Sequence, residues 1–68
     1  MKKFVGVFKV QNGEAQYTML DKVDCLTKKD AIKSFKAYET ATNSSGYDIW
    51  RLDYVTEVKT FNDLWLLL

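Results

Sequence analysis

The residues of this 68-residue chain that could do chemistry are few. Histidine, the commonest general base and metal ligand, does not occur. Cys25 precedes a predicted helix start, where its pKa could be lowered, but a small half-buried core residue is the commoner role. Glu14, Asp21 and Asp24 follow no loop pattern typical of hard-cation sites, which favours solvated carboxylates. We therefore expect a protein that is not an enzyme, with no catalytic residue, cofactor or metal.

Composition limits the remaining function classes. Ten basic residues against nine acidic ones give a net charge of +1, which supplies no global field for nucleic acid or an anionic membrane. A hydrophobic content of 47% predicts a folded single domain over residues 1–68. No apolar run approaches the roughly 20 residues of a membrane span, and we expect a cytoplasmic protein. A core this small predicts help from a partner or from a dimer.

The chain begins with a predicted β-hairpin. Residues 4–10 are apolar on both side-chain parities, which indicates a central strand contacted on both faces. Asn12-Gly13 then predicts a type I′ turn, because both central residues of that turn need positive φ. The second strand is predicted over about residues 15–23. Asp21 lies on its inward parity and predicts a bulge or a strand end.

A helix follows over about residues 28–41. Thr27 and Asp30 have the spacing of a capping box, in which a hydroxyl and a carboxylate satisfy free amides of the first turn. The polar segment 42–46 predicts the helix end, with Gly46 available for left-handed backbone geometry. The apolar stripe of the helix comprises Ala31, Ile32, Phe35 and Tyr38. The rest of its surface carries four lysines: Lys28, Lys29, Lys33 and Lys36.

The third strand is predicted over about residues 47–60, because Trp50, Leu52 and Tyr54 alternate with polar residues. Residues 62–63 predict a turn, and the apolar residues 64–68 predict a short fourth strand. The fold class is therefore α+β with ββαβ(β) topology. An antiparallel sheet ordered 2-1-3-4 carries one helix packed on one face.

No segment remains to cover the second face of the sheet, and exposed apolar patches usually mark interaction surfaces. The candidate protein-binding residues are Val5, Val7, Leu20, Ile49 and Val55 on this face and Leu64, Trp65, Leu66 and Leu67 in the tail. Alternatively, these side chains are half exposed among polar neighbours such as Lys9 and Arg51. The predicted partners are another protein or a second copy in a homodimer, with the helix lysines as a secondary basic contact.

Nucleic-acid binding is the competing hypothesis. Residues 1–36 carry eight lysines and four acidic groups, whereas residues 37–68 carry two basic and five acidic groups. The helix lysines could touch phosphates and exposed sheet aromatics could stack bases, as in a small RNA-binding, DNA-binding or ribosome-associated module. However, a lysine face is most often simply solvated, and the chain has one arginine, the residue best suited to specific phosphate contacts.

Three features resemble the layout of small ββαβ proteins with which bacteriophages inhibit host machinery, including an inhibitor of bacterial RNA polymerase and some anti-CRISPR proteins. These features are the hairpin turn at Asn12-Gly13, the helix start over residues 27–31 and the segment 46–51 before the last strand. Residues 62–66 are similar to a segment that follows the third strand in some anti-CRISPR proteins. The resemblance implies a viral inhibitor that binds a host protein complex stoichiometrically in the host cytoplasm.

Overall fold

The computed structural model describes residues 1–46 and 48–62, without the side chain of Ser45. The elements are β1 (Lys2–Asn12), β2 (Ala15–Cys25), α1 (Lys28–Ser45) and β3 (Ile49–Val58). The strands form one antiparallel sheet in the order β2-β1-β3, with α1 packed on one face. This confirms the predicted α+β class and the central first strand. The predicted fourth strand lies outside the described residues; after β3 these continue into a 3₁₀ turn at residues 61–62.

The hairpin turn lies one residue later than predicted. β1 and β2 pair without a register shift up to Asn12 and Ala15, so Gly13 and Glu14 are the central turn residues. Gly13 has φ of 61°, and no other residue type has positive φ in the described part of the chain. Positive φ at the first central position alone fits a type II′ turn, in which glycine is preferred there. The type I′ prediction is therefore wrong.

The bulge or strand end predicted at Asp21 is also wrong. Asp21 faces Gly6 in an unbroken register, and β2 continues to Cys25. A carboxylate is tolerated here because β2 is an edge strand, where the side chain can reach water. Asp21 Oδ1 also accepts a hydrogen bond from the backbone N–H of Lys22 at 2.9 Å.

The irregularity of the sheet lies in β3 instead. Val7 faces Tyr54 but Phe8 faces Leu52, which leaves Asp53 as the extra residue of a bulge. Side chains alternate between the two faces along a strand, so an extra residue reverses the parity of everything after it. Trp50 and Leu52, before the bulge, therefore share the helix-facing side with Val55, after it.

The bulge corrects the placement of Val55. We expected this side chain on the face opposite the helix, but it is 7% exposed and packs in the core with Ala31 and Phe35 of α1. The prediction failed because it extended one parity through the whole strand. Tyr54, predicted on the inward parity, is for the same reason 45% exposed.

The core lies between α1 and the sheet. The ring of Phe8 makes edge contacts with the rings of Phe35, Tyr38 and Trp50, at centroid separations of 6.0, 6.0 and 5.4 Å. Phe35 lies directly on Gly6, where an added Cβ would come within 2.8 Å of the ring. Glycine is thus required at this position by close packing. The buried core cluster comprises Phe4, Phe8, Val10, Ala31, Phe35 and Val55.

Helix α1 begins as predicted and ends later than predicted. Thr27 Oγ1 accepts a hydrogen bond from the backbone N–H of Asp30 at 3.2 Å, which confirms the hydroxyl half of the capping box. The helix continues to Ser45 through most of the polar segment that was expected to end it, and two hydroxyls in its last turns donate to carbonyls of the same helix. Thr40 Oγ1 donates to Lys36 O at 3.1 Å, and Ser44 Oγ donates to Thr40 O at 2.9 Å.

The end of the helix needs no left-handed residue. Gly46 has φ of −123° and ψ of 174°, which is extended backbone that other residue types also adopt. The left-handed geometry expected of Gly46 is therefore absent. β3 begins at Ile49 and ends at Val58, inside the predicted range of 47–60.

The outer edge of β3 is closed by side chains of α1. Asn43 acts as a strand partner for Trp50: its Oδ1 accepts from Trp50 N at 2.7 Å, and its Nδ2 donates to Trp50 O at 3.0 Å. Two residues further along β3, the backbone N–H of Leu52 donates to Glu39 Oε2. Backbone groups that an edge strand would otherwise present to another chain are thereby used within the molecule.

Candidate functional site

The face of the sheet opposite α1, called the open face here, is defined by strand register. Phe4, Phe8 and Val10 point to the helix, so the odd-numbered side chains of β1 point to the open face. Their neighbours on β2 are the even-numbered residues, from Gln16 to Asp24. On β3 the open-face residues are Ile49, Arg51, Tyr54, Thr56 and Val58.

The predicted apolar binding surface is only partly exposed. Val5 and Val7, on the central strand, are 0% and 2% exposed and so offer no apolar contact surface. Leu20 is half-buried, whereas Ile49 is 58% exposed. Ile49 therefore offers apolar surface at one end of the open face. The other predicted binding residues, Leu64, Trp65, Leu66 and Leu67, lie outside the described residues.

At the opposite end of the open face, the cations already have partners. Lys3 Nζ forms an ion pair with Asp24 Oδ1 at 3.2 Å. The ammonium groups of Lys3 and Lys22 lie 5.5 and 5.3 Å from the ring centroid of Phe61, within cation–π range. The charges at this end serve to hold the chain after β3 against the sheet.

Lys9 and Arg51 present a different arrangement. They face each other directly across β1 and β3, and both are exposed. Within the described residues, no carboxylate lies within ion-pair distance of either cation. Like charges directly opposite each other on neighbouring strands destabilise a sheet. The described residues supply no carboxylate that offsets this repulsion. The pair is therefore a candidate site for an external anion.

A groove of about 530 Å³ surrounds this pair. Its lining residues carry an ammonium, a guanidinium, two primary amides and two hydroxyls, with an apolar wall from Ile49. A guanidinium binds carboxylate or phosphate through two parallel hydrogen bonds, and the amides can donate further ones. The groove is lined by Lys9, Val10, Gln11, Gln16, Tyr17, Thr18, Ile49 and Arg51.

Sequence reasoning did not single out this groove. Lys9 and Arg51 were considered only as polar neighbours of the apolar residues on this face, because they are 42 positions apart in the chain. The signal that unites them is the register of β1 against β3, in which the bulge decides the partner of every residue. Ile49 is the member of the predicted binding set that lines the groove.

Near the groove, a side-chain contact connects the two outer strands on the side of the sheet that faces α1. Tyr17 of β2 donates its hydroxyl hydrogen to Asp48 Oδ2, just before β3, at 2.7 Å. This hydrogen bond to a carboxylate, helped by desolvation, raises the pKa of Tyr17 above its usual value of 10.0. The contact spans β1 near Val10 and connects β2 with the residue that precedes β3.

The helix lysines lie on the other side of the molecule. Lys28, Lys29, Lys33 and Lys36 are all exposed, as predicted for a solvated face. They belong to α1, and the sheet separates them from the groove on the open face. The structure therefore presents two basic surfaces that point in different directions.

The residues considered for catalysis or metal binding are not brought together. Cys25 packs half-buried against the core, and its thiol donates to Thr27 O at 3.2 Å, which agrees with the core-residue interpretation. Among residues 1–46 and 48–62, no three histidine, cysteine, aspartate or glutamate side chains are grouped closely enough to hold a metal ion. No helix in this part of the chain has both the length and the apolar character needed to cross a membrane.

Comparison of the chain with protein-family models, curated proteins and solved structures finds no match. Function is therefore inferred from the groove, its two cations and the surfaces around them.

Proposed function

We propose that this protein works by stoichiometric binding to a host protein complex, as a phage-type inhibitor, and that the groove at Lys9 and Arg51 is its primary contact. The observation that carries the proposal is the pair of exposed cations facing each other without a carboxylate among the described residues. Ile49, 58% exposed, supplies apolar contact area beside them. Arginine next to an exposed apolar side chain is a combination that protein interfaces favour.

The partner proposed for the groove is a protein surface that carries aspartate or glutamate side chains. A carboxylate placed between Lys9 and Arg51 would relieve their mutual repulsion and gain charge-assisted hydrogen bonds. The charges of an acidic partner would also raise the association rate, an effect that salt screens. The proposed inhibitor binds its partner without turnover and acts in the host cytoplasm.

Nucleic-acid binding is less well supported by the positions of the charges. A double helix that contacted the groove could not also contact Lys29 and Lys33, because the sheet lies between these two basic surfaces. Base stacking needs exposed rings, and of the described aromatic residues on the open face Tyr54 is exposed, while Phe61 is half-buried next to two lysines. The helix lysines are proposed as a secondary contact, with a part of the host complex other than the surface that occupies the groove.

The proposal is tested by capture from a bacterial lysate with three forms of the protein. The groove variant carries Lys9→Gln and Arg51→Gln. The matched control carries Lys2→Gln and Lys59→Gln, which removes the same number of charges from exposed positions outside the groove and outside α1. Each capture is done with and without nuclease, and bound proteins are identified by mass spectrometry. The purified partner is then titrated against all three forms at two salt concentrations.

We expect the groove variant to lose at least about tenfold in affinity, as removal of two charge-assisted contacts predicts, while the control changes less. Nuclease should not release the partner. Retention of full affinity by the groove variant would contradict the proposed site. Loss of binding after nuclease treatment, together with salt-sensitive affinity of the wild-type protein for an RNA or DNA oligonucleotide, would replace the proposal with the nucleic-acid function.

A further inference from the structure

The hydrogen-bonding pattern of the sheet identifies which backbone groups of β2 face outward. In a hairpin closed by two turn residues, Asn12 and Ala15 exchange backbone hydrogen bonds, and every second pair along the ladder does the same. The odd-numbered residues of β2 therefore use their backbone groups toward β1. The even-numbered residues Gln16, Thr18 and Leu20 direct theirs away from the sheet.

These outward groups have no partner in the described part of the chain. No hydrogen bond from residues 1–46 or 48–62 reaches the backbone of Gln16, Thr18 or Leu20 at this edge. The next outward N–H, that of Lys22, is already bonded to Asp21 Oδ1. Residues 16–20 thus form an open edge of uncharged residues that is bounded on one side by a capped amide.

We propose that this edge pairs with the same edge of a second copy, antiparallel and with Thr18 facing Thr18 of the second copy. Gln16 of each copy then faces Leu20 of the other. The resulting three pairs form six backbone hydrogen bonds and use only the groups that are open in one copy. The ladder ends before Lys22, whose amide is capped. A two-fold axis through Thr18 makes the interface self-complementary, as cyclic dimers require.

The side chains fit this register. Tyr17 and Met19 are 41% and 40% exposed. In the dimer, Tyr17 of each copy faces Met19 of the other. A thioether next to an aromatic ring is a favourable cross-strand pair, and it occurs twice. Farther out, Lys22 faces Glu14 of the second copy, so that opposite charges also meet twice. Within one copy these two residues are not neighbours, because Glu14 lies in the hairpin turn before β2 and Lys22 towards the far end of the strand.

Shifted registers fit less well. Moving the two-fold axis by one residue, to Met19, keeps the outward groups paired but places Glu14 opposite Asp24 of the second copy, which is repulsive. Moving it to Tyr17 places Glu14 opposite Leu20 and leaves Lys22 without an acidic residue opposite. The register at Thr18 is therefore selected by charge as well as by the capped amide of Lys22.

The dimer would join the two grooves. Because the pairing extends the sheet in its own plane, both open faces lie on the same side. Within one copy, a row of neighbouring side chains crosses the three strands through Thr18, Lys9 and Arg51. In the dimer this row continues from Thr18 into the same three residues of the second copy. Six strands spaced by about 4.8 Å place the outer arginines about 24 Å apart. The pairing stands independently of the proposed function, whereas the use of the joined groove for an acidic partner rests on it.

A charge-swap experiment tests the pairing without any partner protein. Sedimentation velocity over micromolar to millimolar concentrations gives the dimer dissociation constant of the wild-type protein. The variants Glu14→Lys and Lys22→Glu each create two like-charge contacts, and we expect either to raise that constant about tenfold at low salt. The double variant has the wild-type composition and restores both contacts in reversed order. We expect it to dimerise as the wild-type protein does.

Thr18→Pro supplies a second test. It removes an outward N–H at the two-fold axis, and proline is tolerated on strand edges where the N–H faces solvent. We expect a folded monomer by circular dichroism, with dimerisation weakened at least about a hundredfold. A wild-type protein that stays monomeric at millimolar concentration would overturn the proposal. So would a dimer that survives Thr18→Pro, or one that the double charge swap fails to restore.

Discussion

The two edges of this sheet are built differently. At the β3 edge, the amide of Asn43 occupies both backbone groups of Trp50, and Glu39 accepts from the N–H of Leu52. At the β2 edge, the described residues leave Thr18 and its outward neighbours without partners. Unpaired edges invite strand addition, and proteins commonly block the ones they do not use. The difference indicates that helix α1 closes one edge and leaves the other for association.

The two outer strands also differ in regularity, because only β3 of the two carries a bulge in the described sheet. By adding Asp53, the bulge turns Val55 toward α1 and Tyr54 toward the open face. The last two turns of α1 contact the part of β3 before the bulge, where Asn43 bonds to Trp50 and Glu39 to Leu52. β2 has no register shift and stays regular along its 11 residues. Residues 16–20 of this strand carry no charge, and regular, uncharged edges pair most readily with another strand.

The largest effect on stability is expected from a substitution in the core between the sheet and α1. Phe8 is 0% exposed and contacts the rings of Phe35, Tyr38 and Trp50. Phe8→Ala should lower the free energy of unfolding by about 3–5 kcal/mol, because removing a buried aromatic ring leaves a cavity. In so small a domain, this is a large share of total stability. Urea denaturation followed by circular dichroism measures the change, and a loss below about 1 kcal/mol would show that the core is misplaced.

The sequence predicted features that depend on neighbouring residues. The Thr27 cap, the glycine turn and the apolar parity of β1 each follow from a few adjacent positions. The parity of β3 after Leu52 could not be read in this way, because an extra residue in a strand leaves no compositional trace. Asn43 was interpreted as a helix terminator, since its role as a strand partner depends on β3 lying beside it. The groove at Lys9 and Arg51 likewise exists only once the strands are in register.

A moderate effect is expected at the closed edge. Asn43→Ala removes two hydrogen bonds to Trp50 and should lower the free energy of unfolding by about 1–2 kcal/mol. The variant should also associate more at high concentration, because a second edge becomes open. Gln16→Ala is the matched control at the open edge, where we expect a change within about 0.5 kcal/mol. Equal unfolding midpoints for these two variants would contradict the difference between the edges.

A smaller effect is expected from the contact that links the two outer strands. The Asp48 carboxylate raises the pKa of Tyr17 above 10.0, because the folded state disfavours the phenolate beside it. The contact therefore stabilises the fold at pH values below the ordinary tyrosine pKa, and this contribution is lost as pH rises through the raised pKa. Thermal melts from neutral to strongly alkaline pH should fall less steeply for Tyr17→Phe than for the wild-type protein. Parallel curves would exclude a stabilising role for this hydrogen bond.

Residue-resolved amide hydrogen exchange tests the difference between the edges most directly, because it reads both in one sample. We predict that the N–H groups of Trp50 and Leu52 exchange at least about tenfold more slowly, relative to their intrinsic rates, than that of Thr18 in dilute protein. As concentration rises, Thr18 should gain protection while Trp50 and Leu52 stay unchanged. Equal exchange of Trp50 and Thr18 in dilute protein would contradict the closed and open edges. Exchange of Thr18 that does not depend on concentration would contradict the pairing of β2 with a second copy.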